Sequence, residues 1–188
     1  MTEARRRAVF LDRDGVLNQV VLRNGTPHPP GTREELEIFA DAPAALRALK
    51  AAGWLLIVVT NQPDVARGTQ RRDVVDSIND AMRAALPLDD VRVCFHDDRD
   101  GCRCRKPRPG LLVEAADTHG IDLGASVMVG DRWKDVEAGR RAGCAAVLID
   151  RGYAESTLAE RPPDRTVRSL AEAAEWILTH AGRGGHTA

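Results

Sequence analysis

The chain has 188 residues, 43% hydrophobic and 29% charged, which is the usage of ordinary globular proteins and excludes disorder, collagen and coiled coils. Its 27 basic and 28 acidic residues give a net charge of −1, which argues against nucleic-acid binding through bulk charge. No apolar run approaches the roughly 20 residues of a membrane span, and the apolar stretch after the basic N-terminus ends at Asp12, too early for a signal peptide. We therefore expect one cytoplasmic, monomeric domain over 1–188, with its core at about 8–180 and a flexible tail at 181–188, and neither nucleic acid nor membrane as partner.

Hydrophobic patterns predict strands and helices that alternate along the chain. Strands are predicted at 8–11, 54–60, 91–95, 126–129 and 145–149. Helices are predicted at 41–52, 71–86, 111–119, 133–142 and from 169 to about 179. Asp41 is expected to cap the first helix, and Ser169 with Glu172 to form a capping box at the last. This alternation predicts an α/β fold with a mainly parallel central sheet, whose site lies at the carboxyl ends of the strands.

The first predicted strand ends in two carboxylates, Asp12 and Asp14, followed by Gly15. Two carboxylates this close on a turning backbone are costly unless a cation or proton chemistry uses them. Gly15 allows the chain to turn sharply away. An ordinary Asp-Gly turn after a strand explains the tetrapeptide equally well when it is taken alone.

Polar residues also follow two later strands. Thr60 and Asn61 supply a hydroxyl and backbone amides that can hold an anion. Asp131 and Asp135 follow the strand at 126–129, and an acidic residue there would complete, with Asp12, a Mg²⁺ site of oxygen ligands. The alternative is that these acids only favour the N-terminus of the next helix.

Lysine is rare in this sequence, with only three among the 27 basic residues, so Lys106 in the segment 104–107 stands out. A compact ammonium that points at one phosphate oxygen is a reason to keep lysine rather than arginine. The alternative is a solvated charge in a loop.

Taken in order, these four segments resemble the motifs of the haloacid dehalogenase (HAD) superfamily of phosphatases, over about residues 8–153. The resemblance implies a three-layer α/β/α Rossmann-like fold with no large cap domain. It also implies that Asp12 is the nucleophile, that Asp14 is the general acid and base, and that Thr60, Asn61 and Lys106 bind phosphate or substrate. Catalytic Mg²⁺ would be held by Asp12, the backbone carbonyl of Asp14, and Asp131. Asp135 would lie next to these ligands without binding the ion directly.

A second constellation, Cys94, His96, Cys102 and Cys104, provides four ligands suited to a tetrahedral Zn²⁺. Four protein ligands leave no open position, so the zinc is expected to be structural. A disulfide is disfavoured by the reducing compartment, and core thiols by the polar loop between His96 and Cys102. Such an ion would fix the direction of Arg105 and Lys106, which directly follow it, and so link a structural metal to substrate binding.

The zinc loop narrows the resemblance to small HAD phosphatases that act on a phosphorylated metabolite. The sequence looks most like those that release the 7-phosphate of a heptose 1,7-bisphosphate, with phosphatases of histidinol phosphate or of another small sugar phosphate as alternatives. A phosphatase for nucleic-acid ends and a catalytically dead, zinc-stabilised binding module are more remote. Residues for a second phosphate are expected in the loop 18–30 and at Arg67, Arg105 and Arg108.

Overall fold

A computed structural model describes residues 6–23, 26–152 and 160–180, so the expected tail at 181–188 lies outside the described residues. The strands are β1 (Ala8–Leu11), β2 (Val21–Arg23), β3 (Thr26–His28), β4 (Leu55–Asn61), β5 (Asp90–Cys94), β6 (Val127–Gly130), β7 (Ala145–Ile149) and β8 (Arg165–Val167). The α-helices are α1 (Ala42–Ala51), α2 (Arg72–Ala85), α3 (Gly110–His119), α4 (Trp133–Ala142) and α5 (Leu170–His180). Short 3₁₀ turns cover Asp98–Asp100 and Leu123–Ala125.

Six strands form the central sheet in the order β5-β4-β1-β6-β7-β8, and every neighbouring pair is parallel. This confirms the predicted α/β architecture. The strand β1 lies between β4 and β6, with Leu11 opposite Val58 on one side and Val129 on the other. The carboxyl ends of these three strands therefore meet at one edge of the sheet, where a ligand site is expected.

Alternation along β1 explains the layers of the fold. Val9 and Leu11 face a core formed with α1, α2 and α5, whereas Ala8 and Phe10 face a second core formed with α3 and α4. All four of these side chains are fully buried. Strands covered on both faces read as continuous apolar runs, which is why β1 and β4 were predictable from the sequence.

The expected helix caps are only partly present. The Asp41 side chain does not cap α1; its Oδ2 instead accepts a hydrogen bond from the backbone N–H of Ala171, at 3.0 Å. Asp41 therefore ties the start of the first helix to the start of the last, a contact between distant segments that local pattern does not reveal. At α5 the Ser169 hydroxyl accepts from the Glu172 N–H, while the Glu172 carboxylate accepts from the N–H of Arg168 and completes a variant of the predicted box.

Three further strands were absent from the predicted set. The strands β2 and β3 pair as an antiparallel hairpin outside the main sheet, and β8 adds a short parallel edge beside β7. The dipeptide Asn24-Gly25 between two short β-compatible runs is a hairpin signal that the sequence does contain. None of the helices within the described ranges has both the length and the apolar character needed to cross a bilayer.

Candidate active site

The polar residues predicted to act together do meet at the carboxyl edge of the sheet. Asp12 continues β1, and its N–H donates to the carbonyl of Val129 on β6 at 2.9 Å. A cavity of about 340 Å³ opens at this edge. Among the residues that line it are all the predicted site residues of the strand ends and the lysine: Asp12, Asp14, Thr60, Asn61, Lys106, Asp131 and Asp135.

Lys106 is the cation at the floor of the cavity. Its Nζ lies 2.8 Å from Oδ1 of Asp12 and 2.6 Å from Oδ1 of Asp135, and its side chain is only 2% exposed. Burial on its own lowers the pKa of a lysine, but the two carboxylates outweigh burial and raise the Lys106 pKa above its ordinary value. Lys106 is therefore a permanently charged ammonium at the position where a phosphate would meet Asp12.

Three carboxylates gather around this ammonium, which by itself offsets only part of their charge. Asp12, Asp131 and Asp135 each bring a carboxylate oxygen to within 4.8 Å of the others. Burial raises the pKa of Asp12 to about 6 despite the opposing effect of Lys106, and burial with the charges of Asp12 and Asp135 raises that of Asp131 well above its usual range. Gly15 is required here, since a Cβ at this position would lie 1.9 Å from Oδ2 of Asp131. Clustered carboxylate oxygens with excess negative charge fit a Mg²⁺ ion.

Asp135 differs from the other two carboxylates because both of its oxygens have partners. Oδ1 faces Lys106, and Oδ2 accepts a hydrogen bond from the N–H of Arg132 at 3.0 Å. Gly130 makes this position possible, because a Cβ there would lie 2.0 Å from the Cβ of Asp135. Asp135 therefore holds the Lys106 ammonium in place through this ion pair.

The end of β4 orients two other groups. Gln62 donates to Oγ1 of Thr60 at 2.9 Å, so the Thr60 hydroxyl accepts there and keeps its own proton for another acceptor. Asn61 binds the backbone of Lys106 twice: its Nδ2 donates to the Lys106 carbonyl and its Oδ1 accepts from the Lys106 N–H, both at 3.1 Å. Asn61 was expected to bind phosphate or substrate; its side chain lines the cavity, and its carbonyl and one amide hydrogen also fix the lysine segment.

Asp14 lies at the cavity wall under close restraint. Its two oxygens accept four hydrogen bonds, two from Arg13 at 3.2 and 3.0 Å, one from Asn18 at 3.0 Å and one from Gln62 at 2.8 Å. The side chain nevertheless remains 16% exposed. Asp14 is thus fixed in direction and open to the cavity, which suits a group that exchanges protons with a bound molecule.

The predicted zinc ligands also come together. Cys104 Sγ lies 3.2 Å from Cys94 Sγ, 3.5 Å from Cys102 Sγ and 3.3 Å from Nδ1 of His96. These separations are far longer than a disulfide of about 2.05 Å and close to the roughly 3.8 Å between sulfurs 2.3 Å from a tetrahedral Zn²⁺. Burial and the neighbouring thiols raise the pKa of the Cys104 thiol. The fourth cysteine, Cys144, is a buried core residue, as predicted.

The arginines expected near the substrate are held by the loop that carries His96. Arg105 pairs with Asp98 at 2.7 Å and borders a separate cavity of about 250 Å³ together with Arg108, so the structure does not bring these two arginines to the walls of the larger cavity. Arg67 does line the larger cavity, where Asp97 lies 2.7 Å from its guanidinium and Asp64 3.3 Å. Each of these carboxylates neutralises an arginine in place.

The outer wall of the cavity contains residues that the sequence did not single out. The hairpin contributes Pro27 and His28, within the loop 18–30 where contacts to a second phosphate were expected. The start of α4 contributes Arg132 and Lys134. Lys134 is one of only three lysines, so the same count that drew attention to Lys106 was a signal for it as well.

Comparison with known proteins places these features in context. Residues 103–173 match the model of the HAD-hydrolase-like family. The chain is 36% identical to D-glycero-D-manno-heptose-1,7-bisphosphate 7-phosphatase from Thermosynechococcus vestitus, over 93% of this chain and 97% of that protein, and 40% identical to the Rhodopseudomonas palustris protein named D-glycero-beta-D-manno-heptose-1,7-bisphosphate 7-phosphatase, over 74% and 81%. A crystal structure of D,D-heptose 1,7-bisphosphate phosphatase from B. bronchiseptica, complexed with magnesium and phosphate, superimposes with a TM-score of 0.74 at 29% identity and covers 92% of this chain and 98% of that one.

Proposed function

Because the chain belongs to the heptose-bisphosphate phosphatase family of HAD-like hydrolases and is a phosphatase, we propose that it removes the 7-phosphate from D-glycero-D-manno-heptose 1,7-bisphosphate through an aspartyl-phosphate intermediate. One observation supports this most directly. The Asp12 carboxylate and the Lys106 ammonium are 2.8 Å apart at the floor of an open cavity, so a nucleophile and a phosphate-binding cation lie side by side.

In the first half-reaction an oxygen of Asp12 attacks phosphorus and the bond from phosphorus to the sugar oxygen breaks. Lys106 and the Thr60 hydroxyl stabilise the charge on the phosphoryl oxygens. Asp14 gives its proton to the departing sugar oxygen, because an alkoxide is a poor leaving group. In the second half-reaction water attacks the phosphoryl group, Asp14 takes the proton of the water, and inorganic phosphate leaves as Asp12 is regenerated.

We assign a Mg²⁺ site to Asp12, Asp131 and the backbone carbonyl of Asp14, the residues around the carboxylate cluster. When bound, the ion offsets the repulsion between an anionic carboxylate and a phosphate dianion. Asp135 is assigned to Lys106 rather than to the ion, since both of its oxygens already have partners.

We assign a structural Zn²⁺ to Cys94, His96, Cys102 and Cys104. Arg105 and Lys106 directly follow the last of these ligands, so the ion anchors the chain just before the lysine. The loop has little apolar content to fold around, and metal binding supplies the stability that a core would otherwise provide.

For the second phosphate we propose Lys134. Arg67 and Arg105 are neutralised by carboxylates, whereas Lys134 forms no ion pair within 4 Å among the residues that the structure describes. The ring of Trp133 lies 5.8 Å from its Nζ, and its charge is near enough to Asp98 to contribute to the lowered pKa of that carboxyl. An ammonium on the wall of a cavity that forms no close ion pair favours an anionic group of the substrate. This favours a bisphosphate over histidinol phosphate, which carries a cationic amine.

The test compares the purified enzyme on heptose 1,7-bisphosphate, the heptose 1-phosphate and 7-phosphate, a hexose bisphosphate and histidinol phosphate, with Mg²⁺ present. We expect the highest kcat/KM for the heptose bisphosphate, and ³¹P NMR should show that the 1-phosphate is retained. Asp12→Asn should abolish turnover, because an amide does not form the acyl phosphate. A preference for histidinol phosphate, or full activity in Asp12→Asn, would contradict the proposal.

Lys134→Gln tests the second-phosphate assignment. We expect kcat/KM to fall about 10- to 100-fold for the bisphosphate, the effect of one lost charged hydrogen bond, and less than about threefold for the 7-phosphate alone. Lys50→Gln, at an exposed lysine paired with Asp89 away from the cavity, is the matched control and should change neither value. Equal losses on both substrates would show that Lys134 does not contact the second phosphate.

A further inference from the structure

Arg13 lies between Asp12 and Asp14 in the sequence, yet its side chain points inward and is fully buried, at 0% exposure. Its Nε and Nη2 donate to the two oxygens of Asp14 at 3.2 and 3.0 Å. Its Nη1 donates to Oδ1 of Asn79 at 2.9 Å. Asn79 belongs to α2 and is itself only 5% exposed, so the guanidinium connects a buried position on a helix to a carboxylate at the cavity.

The geometry of this contact restrains Asp14 in both place and plane. Two parallel hydrogen bonds from a planar guanidinium fix the orientation of a carboxylate, which a single lysine ammonium does not do. The third bond, to Asn79, holds the guanidinium from the opposite side. Burying a charge is costly unless its partners are complete, and Asp14 with Asn79 supplies partners for this guanidinium.

Two amides complete the restraint. Asn18 and Gln62 each donate one hydrogen to Asp14, and each is anchored by its other hydrogen, Asn18 to the carbonyl of Gln19 at 2.8 Å and Gln62 to Thr60 at 2.9 Å. A carboxylate offers about four lone-pair positions, and these four donors face all of them, so one donor has to give way when Asp14 carries a proton. Asp14 therefore reaches a bound molecule from one defined direction, set by partners that are themselves fixed.

We infer that Arg13, anchored by Asn79, is the positioning residue that aligns Asp14 for proton transfer to the leaving oxygen of the substrate. The inference rests on the acid–base role of Asp14 in the proposed function, but not on the identity of the sugar. A proton donor contributes about 10²- to 10⁴-fold to a rate only when it lies within hydrogen-bond reach of the departing atom. A loosened Asp14 loses part of that factor.

The test uses two substrates that differ in how much they need the proton. A sugar phosphate releases a strongly basic alkoxide, whereas p-nitrophenyl phosphate releases a weakly basic phenolate that departs with little help. In Arg13→Lys, which keeps the charge and removes the planar fork, we expect kcat/KM to fall about 10- to 100-fold for the sugar phosphate and less than about threefold for the aryl ester. Since kcat/KM covers the steps through the first irreversible one, it reports the departure of the leaving group.

Asn79→Ala is the second variant and leaves the contact of Arg13 with Asp14 intact. In Asn79→Ala, kcat/KM should again fall more for the sugar phosphate than for the aryl ester, by a smaller factor. This variant keeps the inference testable if Arg13→Lys does not fold. Arg71→Lys, an exposed arginine paired with Asp73, is the matched control and should behave as wild type. Equal losses on both substrates, or none on either, would overturn the inference. Wild-type turnover of either ester establishes the phosphatase chemistry separately, so a missing selectivity then counts against Arg13 alone.

Discussion

Lys106→Met is the substitution whose cost follows most directly from the structure. It removes an ammonium that lies 2.8 Å from Asp12 and 2.6 Å from Asp135, and it leaves a side chain of similar length in the same space. The backbone of residue 106 remains fixed by Asn61, so the local chain has little freedom to relax. The variant thus isolates the charge from the shape.

Removing one partner of a buried ion pair costs about 3–5 kcal/mol, because the remaining charge has no compensation. Asp135 keeps its hydrogen bond from Arg132, so we expect the lower end of this range, about 3 kcal/mol. With a urea m-value of about 2 kcal/mol/M for a chain of this size, the midpoint of unfolding should fall by about 1.5 M in buffer without Mg²⁺. Activity should fall about 10²- to 10³-fold, since a donor to the phosphoryl oxygens is lost.

Mg²⁺ should stabilise Lys106→Met more than it stabilises the wild type, because the ion then meets three carboxylates with no ammonium among them. Mg²⁺ at 100 times its dissociation constant adds about 2.7 kcal/mol to the stability of the variant, and the part of this gain that exceeds the gain of the wild type offsets the loss. Lys50→Met, at an exposed ion pair, is the control and should cost less than about 1 kcal/mol. An unfolding midpoint without Mg²⁺ that matches Lys50→Met, or a kcat within tenfold of wild type, would refute this account of Lys106.

Two further predictions concern the metal loop and pH. Cys102→Ser should lower the zinc content from one ion per chain, measured by elemental analysis, and lower both thermal stability and activity; a zinc-free protein with full activity would contradict the role given to the ion. Burial raises the pKa of Asp90, but hydrogen bonds from His119 and Arg92 outweigh it and lower that pKa to about 2. A lowered carboxyl pKa stabilises the fold above about pH 4 and loses this effect as the pH falls toward 2. Asp90→Asn should therefore cost about 1–2 kcal/mol in urea unfolding at pH 7, allowing for partial exposure, and clearly less at pH 3; a cost that is equal at both values would show that the ion pairs are not responsible.

The fold and the floor of the site were largely predictable from the sequence. Buried parallel strands produce continuous apolar runs, and the residues directly after them, such as Asp12 and Asp131, must meet at one edge of the sheet. The clustering of Cys94, His96, Cys102 and Cys104 was predictable because spacing along a short loop constrains where side chains can meet. The partners of Arg105 were not predictable, since its pairing with Asp98 depends on how the loop folds back on itself.

Long-range contacts account for the other differences. Asp41 has the residue type of a helix cap, but its carboxylate accepts a hydrogen bond from Ala171 at the N-terminus of α5, 130 residues away in sequence. Arg13 has the pattern of an exposed residue between two acids, and only the packing of α2 brings Asn79 to it. In both cases a side chain satisfies a buried or terminal group that is remote along the chain, and no local pattern encodes such a partner.

The pair of hydrogen bonds between the Asn61 side chain and the backbone of Lys106 has the form of a bridge between neighbouring strands. The side-chain amide of Asn61 pairs with the N–H and the C=O of Lys106 as the backbone of a neighbouring strand would. The end of β4 is thereby joined to a segment that is not itself a strand. Lys106 thus lies in a loop, and its backbone is fixed by the last residue of β4. Lys106 is therefore held at two points, by the chain that leads from the metal loop and by Asn61 at the end of β4.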